Sequence, residues 1–227
     1  MPRVSVVIPA YNAEAFAAQA VESLRAQTWR DFEVIAVDDG SEDATAEVFR
    51  RFPEVRLVSV PHGGIARARN AGVSAAGGEL IAFVDADDRW LPDKLEKQVS
   101  YLDAHPDCLI VFTRYRNFTD IPAGELDRLQ TELLGNEIDR LLVTSVIRKE
   151  AFDRFGLFDT SLVYAEDTEW LYRLRLKCPE RIAKLGEVLY ERRIHGGNIT
   201  LTHEDLGQQE IQPIIARAIR NLNRGKA

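Results

Sequence analysis

Four short apolar or β-branched runs, Val4 to Ile8, Phe32 to Val37, Val55 to Val60 and Leu80 to Val84, alternate with stretches of helical spacing. No other feature restricts the possible folds as strongly. An uninterrupted apolar run is the pattern of a strand covered on both faces, as in parallel sheets. Asn12 reads as the cap of a helix from about Glu14 to Gln27, with Phe16, Ala20 and Leu24 at every fourth position. Ser41 reads as the cap of a second helix ending near Phe52, and Ile65 to Ala75 as a third, arginine-bearing helix. Strand and helix alternating at this spacing predict an α/β fold with a mostly parallel, doubly wound sheet flanked by helices. In such sheets ligands bind at the carboxyl ends of the strands, beside the point where the strand order reverses.

The residues predicted at those ends are Pro9-Ala10-Tyr11-Asn12, Asp38-Asp39 and Asp85-Ala86-Asp87-Asp88. Neither a G-x-G-x-x-G nor a G-x-x-x-x-G-K-[ST] motif follows a strand, which removes dinucleotide-fingerprint and P-loop readings. Three carboxylates within four residues repel one another unless a cation sits among them. Asp85, Asp87 and Asp88 are hard oxygen ligands suited to Mg²⁺ or Mn²⁺, ions that keep positions open for substrate phosphates. A purely structural reading is also available: Asp88 caps a helix starting near Leu91-Pro92, and Asp85 and Asp87 belong to a turn. That helix would place Leu91, Leu95, Val99 and Leu102 on one face.

Charge agrees with a metal-bridged anion rather than with nucleic acid. Asp plus Glu number 36 against 29 Lys plus Arg, a net charge of −7, and a phosphate-backbone binder needs a basic surface. At 45% hydrophobic and 29% charged residues, the 227-residue chain has the balance of an ordinary globular protein with a sizeable core. Cys108 and Cys178 form no Cys-x-x-Cys pair and read as reduced thiols of a cytosolic protein. No signal sequence is visible at the N-terminus, and no apolar run approaches the length of a membrane span.

The run Val4-Ser5-Val6-Val7-Ile8-Pro9-Ala10-Tyr11-Asn12 resembles the opening of the inverting, GT-A-fold family 2 glycosyltransferases. Val37-Asp38-Asp39-Gly40-Ser41, Ala68-Arg69-Asn70-Ala71-Gly72 and Asp85-Ala86-Asp87-Asp88 continue the resemblance. It extends through Phe155-Gly156-Leu157-Phe158-Asp159, Ala165-Glu166-Asp167-Thr168-Glu169-Trp170 and Arg193-Ile194-His195, covering about residues 3 to 200. The resemblance implies a metal-dependent transfer of sugar from a nucleotide-diphosphate donor, a UDP-sugar favoured, to a hydroxyl acceptor, as in polysaccharide, lipopolysaccharide or glycolipid synthesis.

It also implies site roles. Pro9, Tyr11, Asn12, Asp39, Arg67, Arg69, Asp85, Ala86, Asp87 and His195 would bind the donor, with Tyr11 stacking on the base and Asp39 accepting from the uracil imide. Asp38 would orient the loop. Arg67 and Arg69 lie two apart, so a helix splays them by about 200° and only one can face the site. Asn70 and Gly72 read as structural, Gly72 allowing close helix–sheet packing. Asp87, Asp88 and His195 would hold Mn²⁺ or Mg²⁺. Asp167 would be the general base, with Glu166 in reserve, although simple capping of a helix N-terminus also explains the acidic pair. His62, His105 and His203 read as structural. Thr144 and Ser145, ahead of a helix from Lys149 to Phe155, would line the sugar pocket.

Residues 1–115 are thus expected to form the donor half of a single domain and 116–203 the acceptor and base half. Residues 204–227 would form an amphipathic helix, with Ile214, Ile215, Ala218, Ile219 and Leu222 opposite Arg217, Arg220 and Arg224. That helix would pack on the domain, form a dimer contact, or attach peripherally to the inner face of an anionic membrane. The chain stops soon afterwards, short of the extension many members of the family carry. Two rival readings remain. A sugar-1-phosphate nucleotidyltransferase would open with a Gly-rich basic loop that Pro9-Ala10-Tyr11-Asn12 does not supply. A non-catalytic nucleotide-sugar-binding module would have no use for the acids at 87, 88 and 167.

Overall fold

The computed structural model describes residues 1–126 and 141–196, and beyond them residues 132, 134, 137–139, 210 and 213. The expected C-terminal amphipathic segment, His203 and much of the stretch between the two halves lie outside the described residues. The strands are β1 (Val4–Ala10), β2 (Phe32–Asp38), β3 (Val55–Ser59), β4 (Leu80–Phe83), β5 (Arg89–Trp90), β6 (Ile110–Phe118), β7 (Glu137–Asp139), β8 (Val146–Arg148) and β9 (Ile182–Arg193). The helices are α1 (Ala17–Arg25), α2 (Thr45–Arg50), α3 (Ile65–Ala75), α4 (Lys94–Ala104), α5 (Glu150–Phe155) and α6 (Glu166–Lys177).

One sheet runs in the order β3-β2-β1-β4-β8-β6-β9-β5, with β7 added alongside β6. It is parallel across its first four strands, as the alternation predicts. Beyond β4 it is mixed: β8 is antiparallel to both β4 and β6, β9 is parallel to β6, and β5 is antiparallel to β9. Because β2 and β3 lie on one side of β1 and β4 on the other, the strand order reverses between β1 and β4. Their carboxyl ends frame the crevice where α/β sheets bind ligands.

Every residue of β1 is buried, which accounts for its unbroken apolar run. The single polar side chain inside it, Ser5, donates to Glu33 (2.6 Å) and accepts from Gly78 N–H (2.8 Å). Helix α3 lies directly on β1. A Cβ on Gly72 would come within 2.2 Å of Val7 Cγ1, so glycine sets how closely helix and sheet approach. Asn70 exchanges two hydrogen bonds with Phe158, donating to its carbonyl (2.9 Å) and accepting from its N–H (3.0 Å).

The caps expected at Asn12 and Ser41, and the alternative cap at Asp88, are not formed. Asn12, at φ +48°, accepts from Glu42 N–H (2.9 Å) and gives its own N–H to Ser41 Oγ (3.0 Å). The two loops are stitched together instead, and α1 and α2 begin later, at Ala17 and Thr45. Asp88 caps nothing either, since β5 follows it and α4 starts at Lys94 behind Asp93. Tertiary partners have outbid local capping at all three positions. Cys108 and Cys178 are free and buried. Among the described residues no helix is long and apolar enough to cross a membrane.

Candidate active site

At the end of β1, Tyr11 is the aromatic left open, 44% exposed. Its ring stacks on His62, with centroids 4.1 Å apart and planes 24° from parallel. Asp39, at the end of β2, is buried, and its Oδ1 accepts from Gly63 N–H (3.0 Å) and its Oδ2 from Gly64 N–H (2.8 Å). His62 Nδ1 lies 2.9 Å from Asp39 Oδ2 and 3.0 Å from the Asp39 carbonyl oxygen. Both neighbours are acceptors, so Nδ1 is the ring nitrogen that carries the proton. Gly40 (φ +70°) admits this arrangement, because a Cβ there would sit 2.8 Å from His62 N. Asp38 accepts from Ser41 N–H (3.1 Å), the loop-orienting part expected of it. His62, expected to be structural, thus packs against both Tyr11 and Asp39. Its position just past the end of a parallel strand was the available signal.

The two arginines of α3 part as the helical geometry requires. Arg67 is exposed and lies against Gly63, beside the Asp39 loop. Arg69 is 3% exposed and its guanidinium joins Asp85 (3.2 Å) to Glu166, a very close partner. Asp85 and Glu166 therefore share one buried cation. Glu166 is 2% exposed, and among the described residues its Oε2 has no hydrogen-bond partner. Burial pushes its carboxyl up to about 7, with Asp167 and Asp85 adding to the rise and Arg69 opposing it. The proximity of Arg69 would by itself argue for a depressed value. We take desolvation to win, because the guanidinium is divided between two acids and leaves Oε2 bare.

Asp85, Asp87 and Asp88 meet different fates. Asp87 Oδ2 lies 3.0 Å from His195 Nε2, and both side chains keep partial exposure. Asp88 turns inward at 3% exposure, accepting from Tyr190 Oη–H at Oδ2 (2.7 Å) and from Arg193 N–H at Oδ1 (2.7 Å). Asp88, expected as a metal ligand beside Asp87, thus turns each oxygen to a protein donor, while Asp87 keeps partial exposure. Burial, then Asp87 and Asp85, hold its carboxyl well above the ordinary range. Arg193 completes this anchor, donating to the Asp87 carbonyl (2.8 Å) and to Gln19 Oε1 (2.6 Å), pairing with Asp120, and stacking over Phe118 (4.5 Å) and Phe16 (5.1 Å). Tyr190 and Arg193 thus hold the Asp87–Asp88 turn; nothing local in the sequence marks Tyr190, while Arg193 lies within Arg193-Ile194-His195.

The remaining expected residues sort by exposure. Pro9 and Ala86 are buried, so they shape the floor of the crevice without presenting a side chain. Asn12 belongs to the loop stitch described above. Thr144 and Ser145 are fully buried, with hydroxyls donated to the Leu141 and Leu142 carbonyls, and do not line a pocket. Asp167 is half-buried at the start of α6, and its Oδ1 accepts from Thr168 N–H and Oγ1. Its Oδ2 takes no hydrogen bond among the described residues.

Whether these residues suit a divalent ion follows from the donor set. Among the described residues no group of three His, Cys, Asp or Glu side chains gathers to hold one. Asp87 and His195 do meet, one hard oxygen and one imidazole nitrogen. Such a pair fits Mn²⁺ or Mg²⁺ when a diphosphate supplies the remaining ligands, the usual way these ions are bound.

A family model described as Glycosyl transferase family 2 matches residues 5–164. Over 219 residues the chain is 32% identical to the chondroitin synthase of Pasteurella multocida, covering 90% of this chain and 22% of that protein. It thus spans about a fifth of that relative's length. Among solved structures, S. aureus TarS 1–349 in complex with UDP-GlcNAc superposes with a TM-score of 0.71 at 24% identity, covering 86% of this chain and 60% of that one. The mannosyltransferase PcManGT of Pyrobaculum calidifontis, in complex with GDP-Man and Mn²⁺, gives 0.74 at 22% identity over 96% and 64%. At such identities these two likenesses speak for the fold.

Proposed function

Since the chain belongs to glycosyl transferase family 2, we propose that it moves a sugar from a UDP-sugar to a hydroxyl acceptor with inversion at the anomeric carbon. The observation that carries this reading is the convergence of Asp85, Asp87 and His195 with Arg69, Glu166 and Asp167 at the crevice between β1 and β4. Tyr11 offers an open aromatic face for the base, worth on the order of 1–3 kcal/mol per stacked base. A carboxylate has about four acceptor positions. Asp39 has given three to Gly63, Gly64 and His62, and the fourth suits an imide N–H. TarS, crystallised with UDP-GlcNAc, supports uridine, whereas PcManGT, crystallised with GDP-Man, keeps guanosine in view as an outcome of the test.

In this reading Asp87 and His195 hold Mn²⁺ or Mg²⁺, while Asp88, Tyr190 and Arg193 keep the Asp87 turn in place. The ion, when bound, offsets the negative charge that collects on the leaving diphosphate. Asp167 accepts the proton of the acceptor hydroxyl through Oδ2. The freed oxygen forms its bond to the anomeric carbon as the bond to the diphosphate breaks and its electron pair departs with UDP. Glu166 is unsuited to that role, being buried and turned to Arg69. Arg69 carries no proton in the reaction; it orients Asp85 on the donor side and Glu166 on the base side.

The test is a pair of measurements on Asp167→Asn and the wild type. Calorimetry with Mn²⁺ should show both proteins binding UDP alike, and binding it at least about tenfold more tightly than GDP, roughly 1.4 kcal/mol. Transfer should fall by about 10² to 10⁴ in Asp167→Asn. Tighter binding of GDP sinks the donor reading, and near-full transfer by the variant sinks the base assignment.

A further inference from the structure

Helix α6, which carries Asp167, has no side-chain cap of its own. Its N-cap residue is Ala165, and the first amides of any helix lack partners inside it. The acids of its first turn are engaged elsewhere: Glu166 with Arg69, Asp167 with Thr168, and Glu169 with Arg173. The peptide leading into the helix is held instead by Glu210, 45 to 47 positions further along the chain. One Glu210 oxygen accepts from Val163 N–H (3.0 Å), and the other from Tyr164 N–H (2.9 Å) and Ala165 N–H (3.1 Å). Three successive amides aimed at one carboxylate form an anion cradle, and its hydrogen bonds are charge-assisted. The positive end of the helix dipole adds to the attraction.

We propose that Glu210 is a positioning residue of the transfer reaction, which fixes through these three amides the backbone that presents Asp167 to the acceptor hydroxyl. The inference rests on Asp167 being the base. Two anchors bound the loop before α6. Asn70 grips its start at Phe158, and Glu210 grips its end one residue before Glu166 and two before Asp167. Glu166 is itself fixed by Arg69 from inside the protein. The peptide at 165–166 is therefore held from the buried side by Arg69 and from the outer side by Glu210. Loss of the outer anchor frees the main chain next to Asp167 while leaving Asp87, His195, Tyr11 and Asp39 untouched. The donor side and the acceptor side should then respond separately.

Amide hydrogen exchange on the full chain tests this without any knowledge of the acceptor. In Glu210→Ala the amides of residues 163–165 should exchange about tenfold faster or more, those of β1 and α3 should not change, and about 0.1 M formate should restore part of the protection. Glu210→Gln, which keeps one acceptor oxygen, should fall between. Affinity for UDP with Mn²⁺ should stay within about twofold, while turnover of the UDP-sugar that the wild type hydrolyses fastest should drop about tenfold and recover in part with formate. Unchanged exchange at 163–165 overturns the proposal, as does a general rise in exchange with loss of UDP affinity, which would mark Glu210 as merely structural. Faster exchange with wild-type turnover overturns it too. Retained turnover in Asp167→Asn beside lost turnover in Glu210→Ala would instead remove the base assignment and leave the clamp standing.

Discussion

Replacing Glu166 by Gln should make the protein more stable than the wild type at alkaline pH and leave it nearly unchanged in acid. In the folded chain the Glu166 carboxyl lies at about 7, against 4.5 for the free side chain. The folded value is the raised one, so its contribution is fully present below 4.5 and is lost as pH rises through 7. From 4.5 to about 7, at about 1.4 kcal/mol per pH unit, the full loss is roughly 3 kcal/mol. Between about pH 5 and pH 8 the linkage relation gives about 2–3 kcal/mol, because part of the change falls outside that window.

Gln is an isostere of the protonated acid, so it stands in for the state that burial favours, at the price of the attraction between Arg69 and the ionised form. Asp88 is also raised, but it pairs with neither Arg69 nor Glu166, is present in both proteins and cancels in the difference. Urea unfolding of wild type and Glu166→Gln without metal, at several values from about pH 5 to 8, gives the difference curve directly, provided the m-values agree. The stability of the variant relative to wild type should climb by about 2–3 kcal/mol, with its midpoint near pH 6, about halfway between the unfolded and folded values. A flat difference, or one that falls with pH, would show Glu166 ionised throughout in a net favourable pair with Arg69. The argument that desolvation outweighs the shared guanidinium would then be wrong.

Two further perturbations examine the frame around the site. Tyr190→Phe removes the hydroxyl that donates to Asp88, and should weaken UDP-dependent Mn²⁺ binding by about 10- to 100-fold in calorimetry, as loss of an outer-shell partner does. Unaltered affinity would strip Asp88 and Tyr190 of their anchoring role. Gly72→Ala drives a methyl toward Val7 Cγ1 and should cost about 1–3 kcal/mol in overpacking, eased by about 1 kcal/mol of helix propensity. The cost should shrink in a Val7→Ala background, and a double-mutant coupling under about 0.5 kcal/mol would mean the contact is relieved some other way.

How much of this was legible in the sequence depended on how local the governing interactions are. Strands β1, β2 and β4 declared themselves because burial on both faces leaves a nearly unbroken apolar run, whereas the edge strand β3 is only partly buried; the ends of the buried runs located Tyr11, Asp39 and Asp85–Asp88. The splay of Arg67 and Arg69 followed from helical geometry alone. Capping did not follow: Asn12, Ser41 and Asp88 are good cap residues by type, yet each meets a partner distant in sequence that local rules cannot anticipate. The same blindness hid the division of labour among the three acids at 85–88. Asp88 differs from Asp87 only because Tyr190 and the Arg193 amide, more than a hundred residues later, reach it first. Glu210 carried no local signal of any kind, since its cradle is made of main-chain amides.

The arginine shared by Asp85 and Glu166 bears on how such proteins can be recombined. Its two partners lie 16 and 97 positions away, one in each half of the chain. A hybrid that takes residues 1–115 from one relative and the rest from another would inherit a cation and two acids from different lineages, and a mismatch of a single side chain would strand charge in the interior. The halves are therefore less interchangeable than their separate chemistry implies. A productive exchange of acceptor specificity has to move the loops around this triad and carry Arg69, Asp85 and Glu166 across as one unit.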